Sequence, residues 1–249
     1  MFFTWRVPRW LLLVIFPAAA GMVWAIATFG AERSGAILPT PRVGTLLSPM
    51  HTVTFRFPIR VVEATVTTRP EIEGVISIDG DSVAFRPVEP MRPGSTYEFL
   101  VSASQGDERI SDVFAYSVMP LADALWVYVK LDRIPHEVFV YHGDQQVRRM
   151  TASGGRPGDE TPEGTFRIQN RGYHFFSQKY GEGAYYWVRI FGNYLFHSIP
   201  VDIEGKVIQE EAEKLGCPAS HGCVRLSFED AEWFYENVPD GALVVIDRT

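Results

Sequence analysis

Residues 215–246 read LGCPASHGCVRLSFEDAEWFYENVPDGALVVI and contain, in order, a polar turn, a helix start and a closing strand. Ser227 followed by Asp230 is a capping-box pattern, because a serine oxygen can accept the free N–H groups of a first helical turn. Asp240-Gly241 ends the connection between this helix and the next strand, and ALVVID predicts that this strand is buried. We therefore expect a helix from Ser227 whose apolar face is formed by Ala231, Phe234, Tyr235 and Val238.

The residues before this stretch predict further strands, so that residues 121–249 form one β-rich domain with one or two short helices. HEVFVYHGDQQVRRMTAS (136–153) is typical of a hairpin that turns at His142-Gly143-Asp144. YWVRIFGNYLFHS (186–198) predicts strands that lead to His197. GGRPGDETPEGTFRI (154–168) is rich in turn residues, and NRGYHFFSQKYGEGAYY (170–186) indicates a loop or a loose hairpin.

Residues 46–120 carry a second series of short strands and predict a small β-sandwich. HTVTFRF (51–57) alternates apolar and polar side chains, and Asp79-Gly80 joins two alternating runs as a hairpin turn. FRPVEPMRPGSTYEFLV (85–101) closely resembles the bacterial immunoglobulin-like modules of surface proteins. The expected role of this domain is that of a spacer, because it shows no constellation of catalytic side chains.

The N-terminus predicts export. Arg6 and Arg9 precede an apolar run from Trp10 to Ala31, and the first acidic residue is Glu32. This pattern favours an uncleaved signal anchor in residues 1–31, crossing the cytoplasmic membrane through residues 10–31 and followed by a linker over 32–45. The alternative is a signal cleaved near Ala25-Ile26-Ala27, which would release a secreted protein. In either case, the rest of the chain is expected in the bacterial cell envelope.

Composition excludes several classes of function. A formal charge of −7 and a pI near 5.4 give no basic field for nucleic acid. The chain has no glycine-rich phosphate loop and no zinc-finger spacing, and its two cysteines cannot make a disulfide framework. The sequence gives no indication of oligomeric state.

Cys223, in the motif ASHGCVRL (219–226), has four possible roles. It could be a buried structural cysteine, although its neighbours in the chain are polar. It could pair with Cys217 in a disulfide, which an exported protein permits. It could bind zinc with Cys217, His221 and His197, although their spacing is not the usual one. The fourth role is a catalytic thiolate.

The nucleophilic role needs a lowered thiol pKa, a nearby base and donors for an oxyanion. Gly222 would let main-chain N–H groups approach a substrate oxygen, and the helix after Ser227 would place its positive dipole near the sulfur. The expected base is His197 at the end of an apolar strand, in preference to the histidines at positions 51, 136, 142 and 174.

Residues 125–249 closely resemble the L,D-transpeptidases, the cysteine enzymes of the bacterial cell wall. The resemblance lies in FHS (196–198) followed by the 215–246 stretch, with support from VFVYHGDQQV and SGGRPGDETPEGTFRI. It implies Cys223 as nucleophile, His197 as general base and Ser198 as the residue that orients the imidazole. It further implies that His221, Gly222 and Cys223 lie on the turn whose main-chain N–H groups stabilise the oxyanion. Ser220 is expected to close this turn. Arg225 is expected to hold the turn or to contact a substrate carboxylate.

The resemblance implies acyl transfer between peptidoglycan stem peptides, donor and acceptor, through a cysteine thioester with release of D-Ala and formation of 3-3 cross-links. It implies no metal and no cofactor. Three alternatives remain open: an L,D-carboxypeptidase, an enzyme that attaches protein to the wall, and a non-catalytic wall-binding scaffold. Residues 170–186 are expected to shield the thioester. Cys217 departs from the family pattern, and its oxidation with Cys223 would switch the enzyme off.

Overall fold

The computed structural model describes residues 46–248, so the predicted anchor (1–31) and linker (32–45) lie outside the described residues. Within this range no helix combines the length and the apolar character needed to cross a membrane. The described chain is mainly β-structure. The helices among these residues are α1 (Gln209–Ala212) and α2 (Phe228–Asn237).

The first group of strands forms two three-stranded sheets with the orders β1-β4-β3 and β2-β5-β6. They are β1 (Val53–Arg56), β2 (Glu63–Arg69), β3 (Gly74–Asp79), β4 (Ser82–Pro87), β5 (Thr96–Gln105) and β6 (Glu108–Ser117). The predicted alternation is confirmed, since Phe55 and Phe57 are buried and Arg56 is exposed. The predicted hairpin turn at Asp79-Gly80 is also confirmed by the pairing of β3 with β4. Both sheets contribute to one aromatic core, in which the rings of Phe55 and Phe99 lie 5.6 Å apart.

The remaining strands form a nine-stranded mixed sheet with the order β10-β15-β7-β8-β9-β14-β13-β12-β11. They are β7 (Leu125–Lys130), β8 (His136–His142), β9 (Gln145–Ser153), β10 (Gly164–Arg167), β11 (Arg171–Ser177), β12 (Glu182–Phe191), β13 (Tyr194–Ser198), β14 (Val224–Leu226) and β15 (Leu243–Asp247). Strand β13 runs parallel to β14, and β15 runs parallel to β7. The segment 170–186 is therefore largely a hairpin of β11 and β12, as one of its two interpretations proposed.

The central strands β7 and β15 of the large sheet are buried on both faces, and their successive side chains point to opposite sides. In β7, Val127 and Val129 face one core, and Trp126 and Tyr128 face the other. Helix α2 packs on the first face through Ala231, Phe234 and Val238, which confirms most of the predicted apolar face. Its start is also as predicted, since the Ser227 oxygen accepts the Asp230 N–H at 3.0 Å.

The second face meets the six-stranded part through a buried polar contact. Asp247, at the end of β15, accepts Nη1 of Arg86 from β4 at 3.1 Å and the hydroxyl of Tyr128 at 3.1 Å. Burial, with Asp247 beside it, raises the pKa of Tyr128. A second ion pair, Arg92 with Asp144 at 2.9 Å, lies in solvent. The two halves of the described chain are thus joined by specific contacts.

Candidate functional site

The parallel pair β13–β14 brings the two predicted reactive residues to one cavity. His197 lies opposite Arg225 in the register of this pair. Cys223 lies in the turn directly before β14, two residues before Arg225. All three line a cavity of about 500 Å³. The neighbouring strands therefore assemble what the sequence predicted from separate motifs.

His197 is buried, and one nitrogen of its ring is already engaged. Its Nδ1 lies 2.6 Å from the carbonyl oxygen of Ser198. Because a carbonyl oxygen only accepts, Nδ1 carries the proton and Nε2 keeps a free lone pair. Burial, with a smaller contribution from the charge of Arg225, lowers the pKa of His197 to about 4. The ring also meets Phe175 edge-on. The imidazole is therefore neutral at pH 7, in one tautomer and one orientation.

Ser198 contacts His197 through its main chain rather than through its hydroxyl. The Ser198 Oγ accepts the N–H of Tyr185 at 3.0 Å and donates to the carbonyl of Ile199 at 2.9 Å. The side chain thus ties β13 to β12, while the carbonyl meets the imidazole.

Cys223 is a free thiol whose environment differs from the sequence-based expectation. Its Sγ donates weakly to the carbonyl of Asn193 at 3.6 Å. Burial raises the pKa of the Cys223 thiol, which is opposite to the lowered pKa that the nucleophilic role was expected to need. The expected helix dipole is also displaced, because β14 separates the sulfur from the N-terminus of α2 at Ser227. Cys217 is exposed and also a free thiol.

Ser220 closes the turn that precedes Cys223. Its Oγ donates to the Cys223 carbonyl at 2.5 Å and accepts the Gly222 N–H at 3.0 Å. That N–H, predicted as an oxyanion donor, is therefore engaged within the turn. Gly222 has a φ of +107°, and a Cβ there would lie 2.5 Å from Cε1 of Tyr194. Backbone conformation and a close aromatic ring both require glycine at this position.

His221 carries the contact between this turn and the β11–β12 hairpin. Its ring stacks on Tyr180, with centroids 4.1 Å apart and an interplanar angle of 22°. Tyr180 lies in the turn of that hairpin, and its hydroxyl accepts Lys179 Nζ at 2.9 Å. Both rings border the cavity.

Arg225 is buried and pairs with two glutamates, so its guanidinium does not hold the turn as one expectation had it. Nη1 donates to Glu211, and Nη2 lies 3.2 Å from Glu182. Glu211 also accepts Lys214 at 2.6 Å. Within the described chain, the buried Nε of Arg225 has no hydrogen-bond partner.

Residues that the sequence argument did not assign hold the turn from the other side. Gly154 accepts the N–H groups of Ala219 and Ser220 at 2.9 and 3.0 Å. The Gly155 N–H donates to Thr161 Oγ1 at 2.8 Å, and a Cβ on Gly155 would lie 2.1 Å from the Asp159 oxygen. The sequence of residues 154–168 contains the Gly-Gly pair and the Thr-Pro pair from which this role could have been predicted.

His136 and the remaining possible metal ligands do not form a second reactive site among residues 46–248. His136 is buried, and its Nδ1 accepts the Gly154 N–H at 3.0 Å. Over residues 46–248 no three histidine, cysteine or acidic side chains converge to hold a metal ion.

Comparison with known proteins agrees with these motifs. Residues 124–246 match the family model of the L,D-transpeptidase catalytic domain, YkuD. YciB of Bacillus subtilis (strain 168), named as a candidate L,D-transpeptidase, is 44% identical over 128 residues, covering 49% of this chain and 65% of YciB. A candidate L,D-transpeptidase 3 of Mycobacterium tuberculosis is 27% identical over 272 positions, covering 95% of this chain and 94% of that protein.

Among solved structures, an L,D-transpeptidase from Mycobacterium tuberculosis H37Rv is 23% identical to this chain. The match covers 84% of this chain and 96% of that one, with a TM-score of 0.42. The chain spans slightly less than two thirds of the length of YciB.

Proposed function

From the match of residues 124–246 to the family model of the L,D-transpeptidase catalytic domain, we propose that the chain is a cysteine-dependent L,D-transpeptidase. It joins peptidoglycan stem peptides by 3-3 cross-links and releases D-Ala. The observation that carries the proposal is the cavity that Cys223 and His197 both line. There the imidazole is neutral and has its proton on Nδ1, which leaves Nε2 free to accept the thiol proton.

The reaction begins from a neutral pair, because burial raises the pKa of Cys223 and lowers that of His197. Cys223 Sγ attacks the carbonyl between the third residue and the terminal D-Ala of a donor stem as Nε2 takes the thiol proton. D-Ala leaves with that proton on its amine, and a thioester remains. The amine of an acceptor stem then attacks, its proton passes to Nε2, and the thiol is restored.

The oxyanion requires main-chain donors in the turn before β14. The candidate donors are the N–H groups of Cys223 and His221, because the Gly222 N–H is engaged by Ser220. Ser198 fixes the imidazole through its carbonyl. Ser220 and Gly222 set the shape of the turn rather than react.

The β11–β12 hairpin shields the thioester from water. This role is supported by the stack of Tyr180 on His221 at the cavity and by the edge contact of Phe175 with His197. Excluding water favours the acceptor amine over hydrolysis.

In this proposal the enzyme belongs to the cell envelope. Residues 1–31 anchor it in the cytoplasmic membrane, or are cleaved as a signal, and residues 46–120 form an immunoglobulin-like spacer. The catalytic domain, residues 121–249, then lies outside the cytoplasm. The buried contact between Arg86 and Asp247 supports a spacer with a defined orientation towards the large sheet.

Intact-mass spectrometry of the full chain incubated with a purified disaccharide-tetrapeptide tests the proposal. The expected result is an acyl adduct or a cross-linked dimer, with release of D-Ala, that Cys223→Ala abolishes and Cys217→Ser retains. Free tripeptide without dimer would assign an L,D-carboxypeptidase instead. If the reduced protein forms no adduct, the proposal is contradicted. The non-catalytic wall-binding scaffold would then be the remaining alternative.

A further inference from the structure

The Arg225 guanidinium is buried at the wall of the cavity with one of its donors unused. Its side chain is 5% exposed, and it lines the same cavity as Cys223 and His197. Among residues 46–248 the buried Nε finds no hydrogen-bond partner. A buried N–H without an acceptor is costly, so native proteins rarely keep one unless another molecule supplies the acceptor.

The two carboxylates that hold Arg225 are not equivalent. Glu211 has a side chain that is 15% exposed, is also bound by Lys214 and does not line the cavity. Glu182 is 24% exposed, lines the cavity and contacts only one nitrogen of Arg225, at 3.2 Å. Glu211 is thus the anchor of the guanidinium, whereas Glu182 is the partner that a ligand in the cavity could replace.

We propose that Arg225 binds a carboxylate of the donor peptide through its Nε–Nη2 edge, and that Glu182 occupies part of this edge until the donor displaces it. The inference rests on the proposed function, because it names the substrate group that the same site recognises. The Nε and Nη2 hydrogens of an arginine form a planar fork that matches the two oxygens of a carboxylate. Glu182 engages only half of that fork.

The position of Arg225 suits this role. It follows Cys223 by two residues and lines the same cavity, and two residues of extended chain span about 6.6 Å. The carboxylate of the leaving residue lies one residue beyond the attacked carbonyl, about 4 Å along the chain. A donor with its carbonyl at Cys223 can therefore direct its terminal carboxylate towards Arg225. Other stem-peptide carboxylates offer the same chemistry and are separated by the test below.

The test is equilibrium binding to the full chain carrying Cys223→Ala, which removes turnover from the measurement. Isothermal titration calorimetry compares a tetrapeptide stem ending in a free carboxylate with the same peptide ending in an amide. We expect the carboxylate form to bind about 10- to 100-fold more tightly, as charge-assisted hydrogen bonds require. In the same background, Glu182→Gln should tighten binding of the carboxylate form several-fold and leave the amide form unchanged.

Glu211→Gln is the matched control, since it also removes one carboxylate from Arg225 but at a place outside the cavity. It should not tighten binding of the carboxylate form. Equal affinities for the two peptides, with no effect of Glu182→Gln, would overturn the inference. A preference for the carboxylate that Glu182→Gln weakens would also overturn it, because Glu182 would then assist binding.

These results are independent of the acyl adduct that tests the proposed function. If Cys223 forms the adduct but the two peptides bind alike, the transpeptidase stands and the carboxylate site fails. If the peptides differ in affinity as expected and no adduct forms, the carboxylate site stands and the chemistry fails. Equal binding of the two terminal forms together with weaker binding of a stem lacking an internal carboxylate would assign the recognised group elsewhere in the peptide, against the geometry proposed here.

Discussion

His197, the proposed general base, is buried and has a defined tautomer. Its proton sits on Nδ1 against the Ser198 carbonyl, and burial lowers its pKa to about 4. Cys223 has the opposite tendency, since burial raises its thiol pKa. Both shifts favour the neutral form of the pair, so in the proposed reaction proton transfer accompanies attack on the substrate rather than preceding it.

The acylation rate should therefore depend on pH through the neutral imidazole. Above the His197 pKa of about 4 the base is available, and below it the ring is protonated and cannot accept the thiol proton. The expected kcat/KM for acylation by the donor peptide is flat near neutral pH and falls about tenfold per pH unit below that pKa.

Stopped-flow or mass-spectrometric acylation across the pH range checks this expectation. A fall centred near pH 6.5 would mean that the buried ring ionises normally. A rate that keeps rising with pH through neutrality would mean that the thiolate, rather than the neutral pair, is the reacting form.

Gly222 is the residue of the turn that should tolerate substitution least. In Gly222→Ala the new Cβ meets Tyr194 Cε1 at 2.5 Å, at a φ of +107°. Displacement of the turn by even about 1 Å should slow acylation by about 100-fold or more. Gly241→Ala is the control, since it has a φ of +81° but no atom within 4 Å of the added Cβ. It should lose about 1–2 kcal/mol of unfolding free energy and retain its acylation rate. Similar rates for both variants would contradict the steric argument.

At the scale of elements, the β11–β12 hairpin is the part that reaches over the site from the edge of the sheet. Its turn delivers Tyr180 to His221, while β12 supplies Glu182 to Arg225. The other end of the hairpin is fixed: Arg171 donates to the carbonyl of Val238 at 2.6 Å and pairs with Asp240 beyond α2. One end of this element is therefore anchored and the other borders the reactive groups.

Tyr180→Ala should raise hydrolysis of the thioester relative to transfer, because it removes the stacked ring that covers the turn. The ratio of tripeptide to cross-linked dimer measures this directly. Tyr173→Ala is the matched control, as Tyr173 lies on the same hairpin, is 61% exposed and contacts Tyr185 and Tyr186 rather than the reactive pair. An unchanged ratio in Tyr180→Ala would count against a shielding role.

At the scale of the whole molecule, the contact between the six-stranded part and the large sheet decides how the described chain behaves as a unit. Arg86 and Asp247 meet where their side chains are 27% and 9% exposed. Arg92 and Asp144 form a slightly shorter pair, 2.9 Å against 3.1 Å, at 69% and 53% exposure. The two pairs differ mainly in burial, which makes them a natural comparison.

Arg86→Ala should lower the free energy of unfolding by about 1–3 kcal/mol, because the Asp247 carboxylate loses a charged donor in a buried setting. Arg92→Ala should cost less than about 1 kcal/mol, as exposed ion pairs do. Urea denaturation of both variants gives the two values. Equal effects would mean that the buried pair does not couple the two parts more strongly than the exposed one.

The local sequence determined most elements of the fold. Period-two alternation gave the strands around Phe55 and the Asp79-Gly80 hairpin, and Ser227 with Asp230 gave the start of α2. The sequence also singled out Cys223, in a polar glycine-containing turn, and His197, at the end of an apolar strand, and both line one cavity. These features depend on neighbours along the chain, whose preferences the sequence displays directly.

Only the tertiary structure decided the pKa values of those residues and the partners that they contact. The raised pKa of Cys223 and the lowered pKa of His197 arise from burial beneath other strands. Arg225 contacts Glu182, 43 positions away, and Ser198 meets His197 by its carbonyl rather than its hydroxyl. Burial and contacts between distant segments depend on which strands become neighbours, and the pairing of β13 with β14 is not encoded in the pattern of either strand.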